Sequence, residues 1–423
     1  MDQTNTRIPN SLSPQVAHYG WLEGFLRDRL IAKLRLISDG ELVMAEAGEV
    51  HRFGNPSDLR GRIEVLDPRT WERVALHGTV GFAECFMAGW VRMDDPVSVV
   101  RLFVRNRHAM RTMETGVGAF SLWLLKLWRA ARANTRAGSR RNIGAHYDLG
   151  NEFYKLWLDG SMMYSSAIWE HPDQTLEEAA AFKVDRICRK LALEPGMRVL
   201  EIGTGWGGFA IHAAGRYGCQ VTTTTISGEQ YALAVGRVEE AGLSDKVTVL
   251  RQDYRDLKGR FDRVVSIEMV EAIGWKQFPG YFQTIGEVLE PDGAALIQAI
   301  TILDRRYQAA RRNVDFIQRH IFPGSCIPSI QSLLDAAMEH SDLALIHLED
   351  IGPHYARTLR EWRRRFLSHR REILDLGFDE KFLRMWEWYL SYCEGGFLER
   401  QLGDSQLLFA KPGWAGAPLL GKL

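Results

Sequence analysis

Beyond Glu177, apolar and polar positions alternate between two rhythms: stretches with a period near 3.6, and short apolar runs closed by turn residues. The pattern predicts a helix to Leu191, strand MRVLEIG, helix GFAIHAAGRYG, strand QVTTTTIS, helix GEQYALAVGRVEEAG, strands KVTVLRQD and FDRVVSIEM, helix FPGYFQTIGEVL and strand GAALIQAIT. Alternating units of this length specify an α/β fold with a mostly parallel sheet covered on both faces. From Ile31 to about Asp95 the segments are shorter (LRLI, ELVMAE, GRIEVLD, TWERVALHG) and broken by Gly, Asn-Pro and Asp-Pro. They predict a small sheet rather than long helices. Pro96 to Leu127 reads as helix, with Val99, Val100, Leu102, Phe103 and Val104 interleaved with Arg101, Arg105 and Arg107.

With 423 residues, two domains are the starting expectation. The boundaries read as a small α+β accessory domain over 1–110, a basic helical or flexible linker over 111–145, and the large α/β domain over 146–423. Inside the linker, Arg129, Arg132, Arg136, Arg140 and Arg141 stand without one acidic residue, which suits either contact with anionic headgroups or a solvated connector. Lys plus Arg equal Asp plus Glu at 53 each, so no global field points to nucleic acid. The five cysteines are scattered and form no CxxC pair, which argues against a disulfide framework or a metal site and favours a reducing cytoplasm. Neither a signal peptide nor a membrane span is expected from the apolar runs.

The strongest chemical signal is VLEIGTGWGGFA, Val199 to Ala210, where an apolar strand ends in an acidic residue and a Gly-rich turn before a helix opens. Gly203, Gly205 and Gly207 let the backbone turn tightly and approach a ligand that lies at the carboxyl end of the sheet. Spaced G-x-G-x-G behind Glu201, the motif resembles that of class I S-adenosylmethionine methyltransferases, whose acidic residue helps hold the methionine end. That resemblance implies a Rossmann-like class I methyltransferase domain. On the next two strand ends, Thr225, Ile226 and Gln230 are candidates for the ribose, and Gln252 and Asp253 for the adenine.

Upstream, HYDLGNEFYKLWLDGSMMYSSAIWE, His146 to Glu170, resembles the cyclopropane-fatty-acyl-phospholipid synthase family. The likeness continues through TTISGEQ, QDYRDL, EMVEAIG, FIQRHIFPGSCIPS, HYARTLREW and YLSYCEGGF. It implies transfer of a methyl carbon from S-adenosylmethionine to the cis double bond of an unsaturated phospholipid acyl chain. A base then removes a proton from the resulting cation so that a cyclopropane ring closes. Loss of a proton elsewhere would give a methylene branch instead, for a partner reductase to complete. The resemblance adds Tyr164 and Ser165 to the cofactor side and implies a dry aromatic site, for which Tyr164, Trp169, Trp206, Tyr281, Phe282, Phe316 and Tyr355 are candidates.

Family members hold a bicarbonate ion as the base, and the corresponding positions here are Ser166, Glu271, Gln298, Ile300 and Tyr355. Ser166 stands for a Cys and Gln298 for a His; both keep a hydrogen-bond donor, so bicarbonate could still be held. Glu268 stands where many relatives have Gly. Two carboxylates near one site would repel an anion, and either could serve as an internal base with a raised pKa. The expected partner is a phospholipid bilayer with unsaturated acyl chains, visited from the cytoplasmic side by a peripheral enzyme, with a homodimer left open. For bilayer contact the sequence offers the mixed segment Arg305 to Phe322; the basic run Arg363 to Arg371 reads as a solvated helix face.

Overall fold

The computed structural model describes residues 20–107, 149–417 and Leu419. These fall into two compact units, and the linker expected over 111–145 lies outside the described residues.

The first unit carries a four-stranded sheet in the order β2-β1-β3-β4, formed by Glu41–Glu46 (β1), Glu49–Gly54 (β2), Arg60–Val65 (β3) and Val91–Met93 (β4). Its helices are Trp21–Leu34, Arg69–Ala88 and Pro96–Arg105. ELVMAE and GRIEVLD supply strands as expected, but TWERVALHG belongs to the 20-residue Arg69–Ala88 helix and LRLI begins at the last residue of the first helix. Gly78 misleads because it lies inside the helix as a kink, at φ 56°, rather than after its end. Buried Val80, Ala83, Phe86 and Met87 then continue at helical spacing. Glu46, buried in β1, accepts from Trp71 Nε1 at 2.5 Å and Arg27 Nε at 2.7 Å, fastening two helices to the sheet.

The second unit holds a seven-stranded sheet in the order β10-β11-β9-β8-β5-β6-β7. Its strands are Arg198–Ile202 (β5), Gln220–Thr224 (β6), Val247–Leu250 (β7), Phe261–Ile267 (β8), Leu289–Ile302 (β9), Ala344–Asp350 (β10) and Leu402–Ala410 (β11). β5 to β9 pair in parallel, and β11 joins β9 and β10 antiparallel. Every strand and helix that the hydrophobic rhythm predicts beyond Glu177 is present. Successive side chains leave a strand on opposite faces. Leu200, Ile297, Leu407 and Phe409 therefore enter one core with Tyr281, Phe282 and Ile285. Val199, Leu296, Leu408 and Ala410 enter another, with Ile187, Phe209 and Ala213.

Strand order reverses between β5 and β8, so the loops at their carboxyl ends diverge and leave a crevice there. The Leu176–Lys190 helix is tied to the antiparallel side of the sheet by polar contacts. Lys190, almost fully buried, donates to Glu349 Oε2 at 2.6 Å and Gln406 Oε1 at 2.8 Å, while Arg186 also pairs with Glu349.

Burial alone would push the Glu349 carboxyl up, but the bonds from Arg186 and Lys190 outweigh it and bring it down to about 2. Its stabilisation is therefore complete above the ordinary carboxylate range and is lost as the pH falls toward that value. Glu349→Ala strands the buried Lys190 ammonium and should cost about 3 kcal/mol at neutral pH, with a smaller loss at pH 3, when unfolding by urea is compared with the parent.

Candidate active site

The glycine turn follows β5 directly. Gly203, Gly205 and Gly207 all have positive φ, at 103°, 52° and 87°. A Cβ on Gly203 would lie 3.1 Å from the Met269 side chain, whereas one on Gly205 would meet nothing within 4 Å, so Gly205 borders open space. The turn is pinned to the neighbouring strand because the amides of Gly203 and Thr204 both donate to Thr224 O, at 3.1 and 3.0 Å. Glu201 is buried beneath it and accepts from Thr223 Oγ1 at 2.6 Å. Burial pushes its carboxyl up to about 8, against the opposing pull of Thr223 and Lys183.

The other cofactor candidates gather on the same edge. Thr225 donates to Gln230 Oε1 at 2.8 Å, and its own oxygen accepts from the Ser227 amide, so the end of β6 and the next helix start form one unit with Ile226 between them. Gln252 donates to Asp256 O, while the Asp253 carboxylate is bound by Arg255 at 2.8 and 2.6 Å. Tyr164 and Ser165 arrive from the segment before the Leu176–Lys190 helix; the Tyr164 hydroxyl meets that of Tyr389 at 2.9 Å. Ser165 Oγ accepts from Lys183 Nζ at 2.8 Å.

All six candidate catalytic residues converge at the ends of β8 and β9. Glu268, just past β8, has φ 48°, a left-handed backbone that a branchless glycine would adopt more easily. Its amide donates to Gln298 O. Its carboxylate accepts from the Ser166 amide at 2.8 Å, from Gln298 Nε2 at 2.8 Å and from the Tyr355 hydroxyl at 2.7 Å. Glu271 Oε1 accepts from the Ile300 amide at 2.5 Å, and Oε2 is buried without a hydrogen-bond partner among the described residues. Burial, then the charge of Glu268, pushes the Glu271 carboxyl up to about 8. Burial also raises Glu268 and holds Tyr355 protonated.

Ser166 contributes through its backbone, since its hydroxyl is spent on Ala167 O at 3.0 Å. Of the five groups that the resemblance assigns to bicarbonate, three therefore already bind Glu268, and a fourth, the Ile300 amide, binds the fifth, Glu271. A second anion in that cradle would have to displace Glu268 from its three donors. The residues as they stand do not fit bicarbonate.

Two further titratable groups enter this cluster, and the sequence reading missed both. Asp404, near the start of β11 and fully buried, accepts from Gln298 Nε2 at 3.0 Å. Lys183 is fully buried, and burial brings its ammonium down to about 8 although Glu268, Asp404, Asp159 and Glu201 pull it upward. Neither stands out in the sequence, since Lys183 is one of several charges on its helix and Asp404 sits beside Ser405 and Gln406.

Aromatic side chains form a wall beside the cluster, though not the predicted set. Tyr164 packs against Tyr154, Trp157 and Trp362 at 5.6, 5.4 and 5.5 Å between ring centres, and Tyr355 against Trp362 and Phe397 at 5.9 and 4.5 Å. Trp206 joins through Tyr154 at 4.9 Å. Tyr281 and Phe282 instead fill the core beneath the sheet, Trp169 is capped by Arg357, and Phe316 packs against Trp388 and Tyr392. In the Arg305 to Phe322 segment Tyr307, Val314 and Phe316 are buried, while Ile317 and Phe322 are only partly so. In the run from Arg363 to Arg371, Arg363, Arg364, Arg365 and Arg370 pair with Glu394, Glu361, Glu177 and Glu380, as a solvated helix face would.

Residues 134–407 match the model of the family described as mycolic acid cyclopropane synthetase. The chain is 38% identical to the tuberculostearic acid methyltransferase of Mycobacterium tuberculosis over 352 residues, 81% of each chain. It is 36% identical to the cyclopropane-fatty-acyl-phospholipid synthase of Escherichia coli over 376 residues, covering 87% of this chain and 92% of the other. The crystal structure of a mycolic acid cyclopropane synthase, CmaA1, complexed with SAH and CTAB superposes with a TM-score of 0.60 at 28% identity, over 64% of this chain and 98% of that one.

Glu201 and Glu271 each hold a proton to higher pH when folded than an ordinary carboxyl does. Their contribution to stability is therefore complete below about pH 4.5 and is lost as the pH rises through about 8. Between pH 5 and 7.5 the unliganded protein should lose stability with rising pH, and Glu201→Gln should flatten that slope by about 1 kcal/mol per pH unit in urea unfolding.

Proposed function

The chain belongs to the mycolic acid cyclopropane synthetase family of S-adenosylmethionine-dependent methyltransferases, and from that premise we propose that it methylates the cis double bond of an unsaturated acyl chain in a membrane phospholipid. The observation that carries the reading is the convergence of Ser166, Gln298 and Tyr355 on Glu268, with Glu271 on the Ile300 amide beside it.

The open space at Gly205 and the buried carboxyl of Glu201 suit the methionine end of S-adenosylmethionine, and the Thr225, Gln230 and Gln252 edge suits its adenosine. When bound, that cofactor supplies an electrophilic methyl carbon. Glu268 then accepts the proton that the cationic acyl chain must lose. Its three donors keep the carboxylate oriented, so bicarbonate is dispensable. Tyr164, with Tyr154, Trp157 and Trp362 packed against it, helps to keep water from the cation. The phospholipid form of the substrate rests on the likeness to the Escherichia coli synthase, along almost its full length. No helix among the described residues is long and apolar enough to cross a membrane.

Ring closure is the first reading of the product. A methylene- or methyl-branched chain is the second, favoured by the similar overall match to tuberculostearic acid methyltransferase and by a protein carboxylate where the resemblance implies bicarbonate.

Incubation with labelled S-adenosylmethionine and liposomes of unsaturated phospholipid should add one CH₂ to the acyl chain by mass spectrometry. Mild hydrogenation leaves a ring unchanged and adds two hydrogens to an exocyclic alkene. Turnover should persist in bicarbonate-stripped buffer, and Glu268→Gln should lower it at least about 100-fold with cofactor affinity nearly intact. Collapse of turnover on bicarbonate removal would refute Glu268 as the proton acceptor.

A further inference from the structure

The amide of Gln298 can be oriented without ambiguity, because a chain of donors fixes it. The Lys190 ammonium can only donate, so Gln406 Oε1, 2.8 Å away, must be the acceptor. Gln406 Nε2 is then free to donate to Gln298 Oε1 at 3.1 Å, which leaves Gln298 Nε2 pointing at two carboxyls at once, Glu268 at 2.8 Å and Asp404 at 3.0 Å. The two hydrogens on Nε2 serve one carboxyl each.

The two carboxyls are unequally supplied. Glu268 takes three donors, whereas Asp404 has Gln298 alone and its Oδ1 is buried without a donor among the described residues. The nearest buried cation, Lys183, bonds Ser165 Oγ rather than either carboxyl. Two ionised carboxylates on one amide would repel each other in a buried site, so a proton must sit on one of them, and the donor count places the negative charge on Glu268.

We propose that Asp404 is a positioning residue that stays protonated at neutral pH and, as the neutral partner of Glu268 across Gln298, keeps Glu268 ionised to receive a proton. The proposal rests on the reading of Glu268 as the proton acceptor. Burial, then the charges of Glu268 and Glu271, push the Asp404 carboxyl far above the usual range, against the pull of Lys183. The other groups facing the pair are the Tyr355 and Tyr389 hydroxyls, both held protonated by burial. In the reaction, the C–H electron pair of the transferred methyl group becomes the new carbon–carbon bond, and the proton passes to Glu268. Asp404 keeps its own.

The test compares Asp404→Ala, Asp404→Asn and Glu268→Gln by pH profiles of kcat and KM for S-adenosylmethionine on unsaturated liposomes. Asp404→Ala should lower kcat about tenfold and move the acid limb up by about one pH unit, with KM unchanged, because Gln298 Nε2 loses the second acceptor that holds it on Glu268. Asp404→Asn, which keeps a neutral acceptor for Gln298 Nε2, should restore most of kcat and the parent limb. An unmoved limb in Asp404→Ala, or an Asn variant as impaired as the Ala variant, overturns the proposal while leaving Glu268 as the acceptor. Full activity in Glu268→Gln instead overturns the reading beneath it. Infrared spectra of the parent protein labelled with carbon-13 aspartate give a measurement that needs no variant: a protonated aspartate carboxyl at pH 7 is expected, and its absence refutes the idea.

Discussion

A carboxylate taken out of water has to be met by donors or by a proton, and the catalytic half of this molecule is organised around that constraint. Four acidic side chains, Glu201, Glu268, Glu271 and Asp404, are packed at or below the carboxyl ends of β5, β8 and β9 and in β11, with Lys183 as their buried counter-charge. Only Glu268 is fully matched, by donors from three separate elements. The parallel sheet supplies the Gln298 donor and the antiparallel addition of β11 supplies Asp404, so the site depends on β9 sitting between β8 and β11.

The same strands serve two purposes at adjacent positions. On β9, Leu296 and Ile297 fill opposite cores, while Gln298 and Ile300 present a side chain and an amide to the two glutamates. A register slip of one residue would bury Gln298 in an apolar layer and turn Ile297 into the site. Packing and chemistry therefore specify the same register, and neither can drift without the other.

Much of the catalytic unit was legible in the sequence because hydrophobic rhythm reports strands and helices of ordinary length, and because the glycines of the β5 turn have a backbone reason to be there. The first unit was read less well, since Gly78 looks like the end of a segment and is a kink within one. The candidate acids were found through motif likeness, but their arrangement was not: nothing in EMVEAIG says that Glu268, rather than a bound ion, takes the donors of Ser166, Gln298 and Tyr355. Asp404 and Lys183 stayed hidden because nothing local sets them apart, Lys183 being one of several charges on its helix and Asp404 one of three adjacent polar residues on its strand, and only the tertiary fold brings them to one place. Tyr281 and Phe282 were misassigned for the converse reason, as aromatic spacing does not distinguish a site wall from a core.

The backbone at Glu268 carries a consequence for how such a site can change. A side chain held at φ 48° costs about 1 kcal/mol or more relative to glycine, so the chain retains a locally unfavourable conformation at the residue that fills the cradle. Reversion to glycine would relieve that strain and at the same time vacate three aligned donors. Conformational ease and hydrogen-bond satisfaction thus pull in opposite directions at one codon, because the same change that frees the backbone leaves three buried donors without an acceptor.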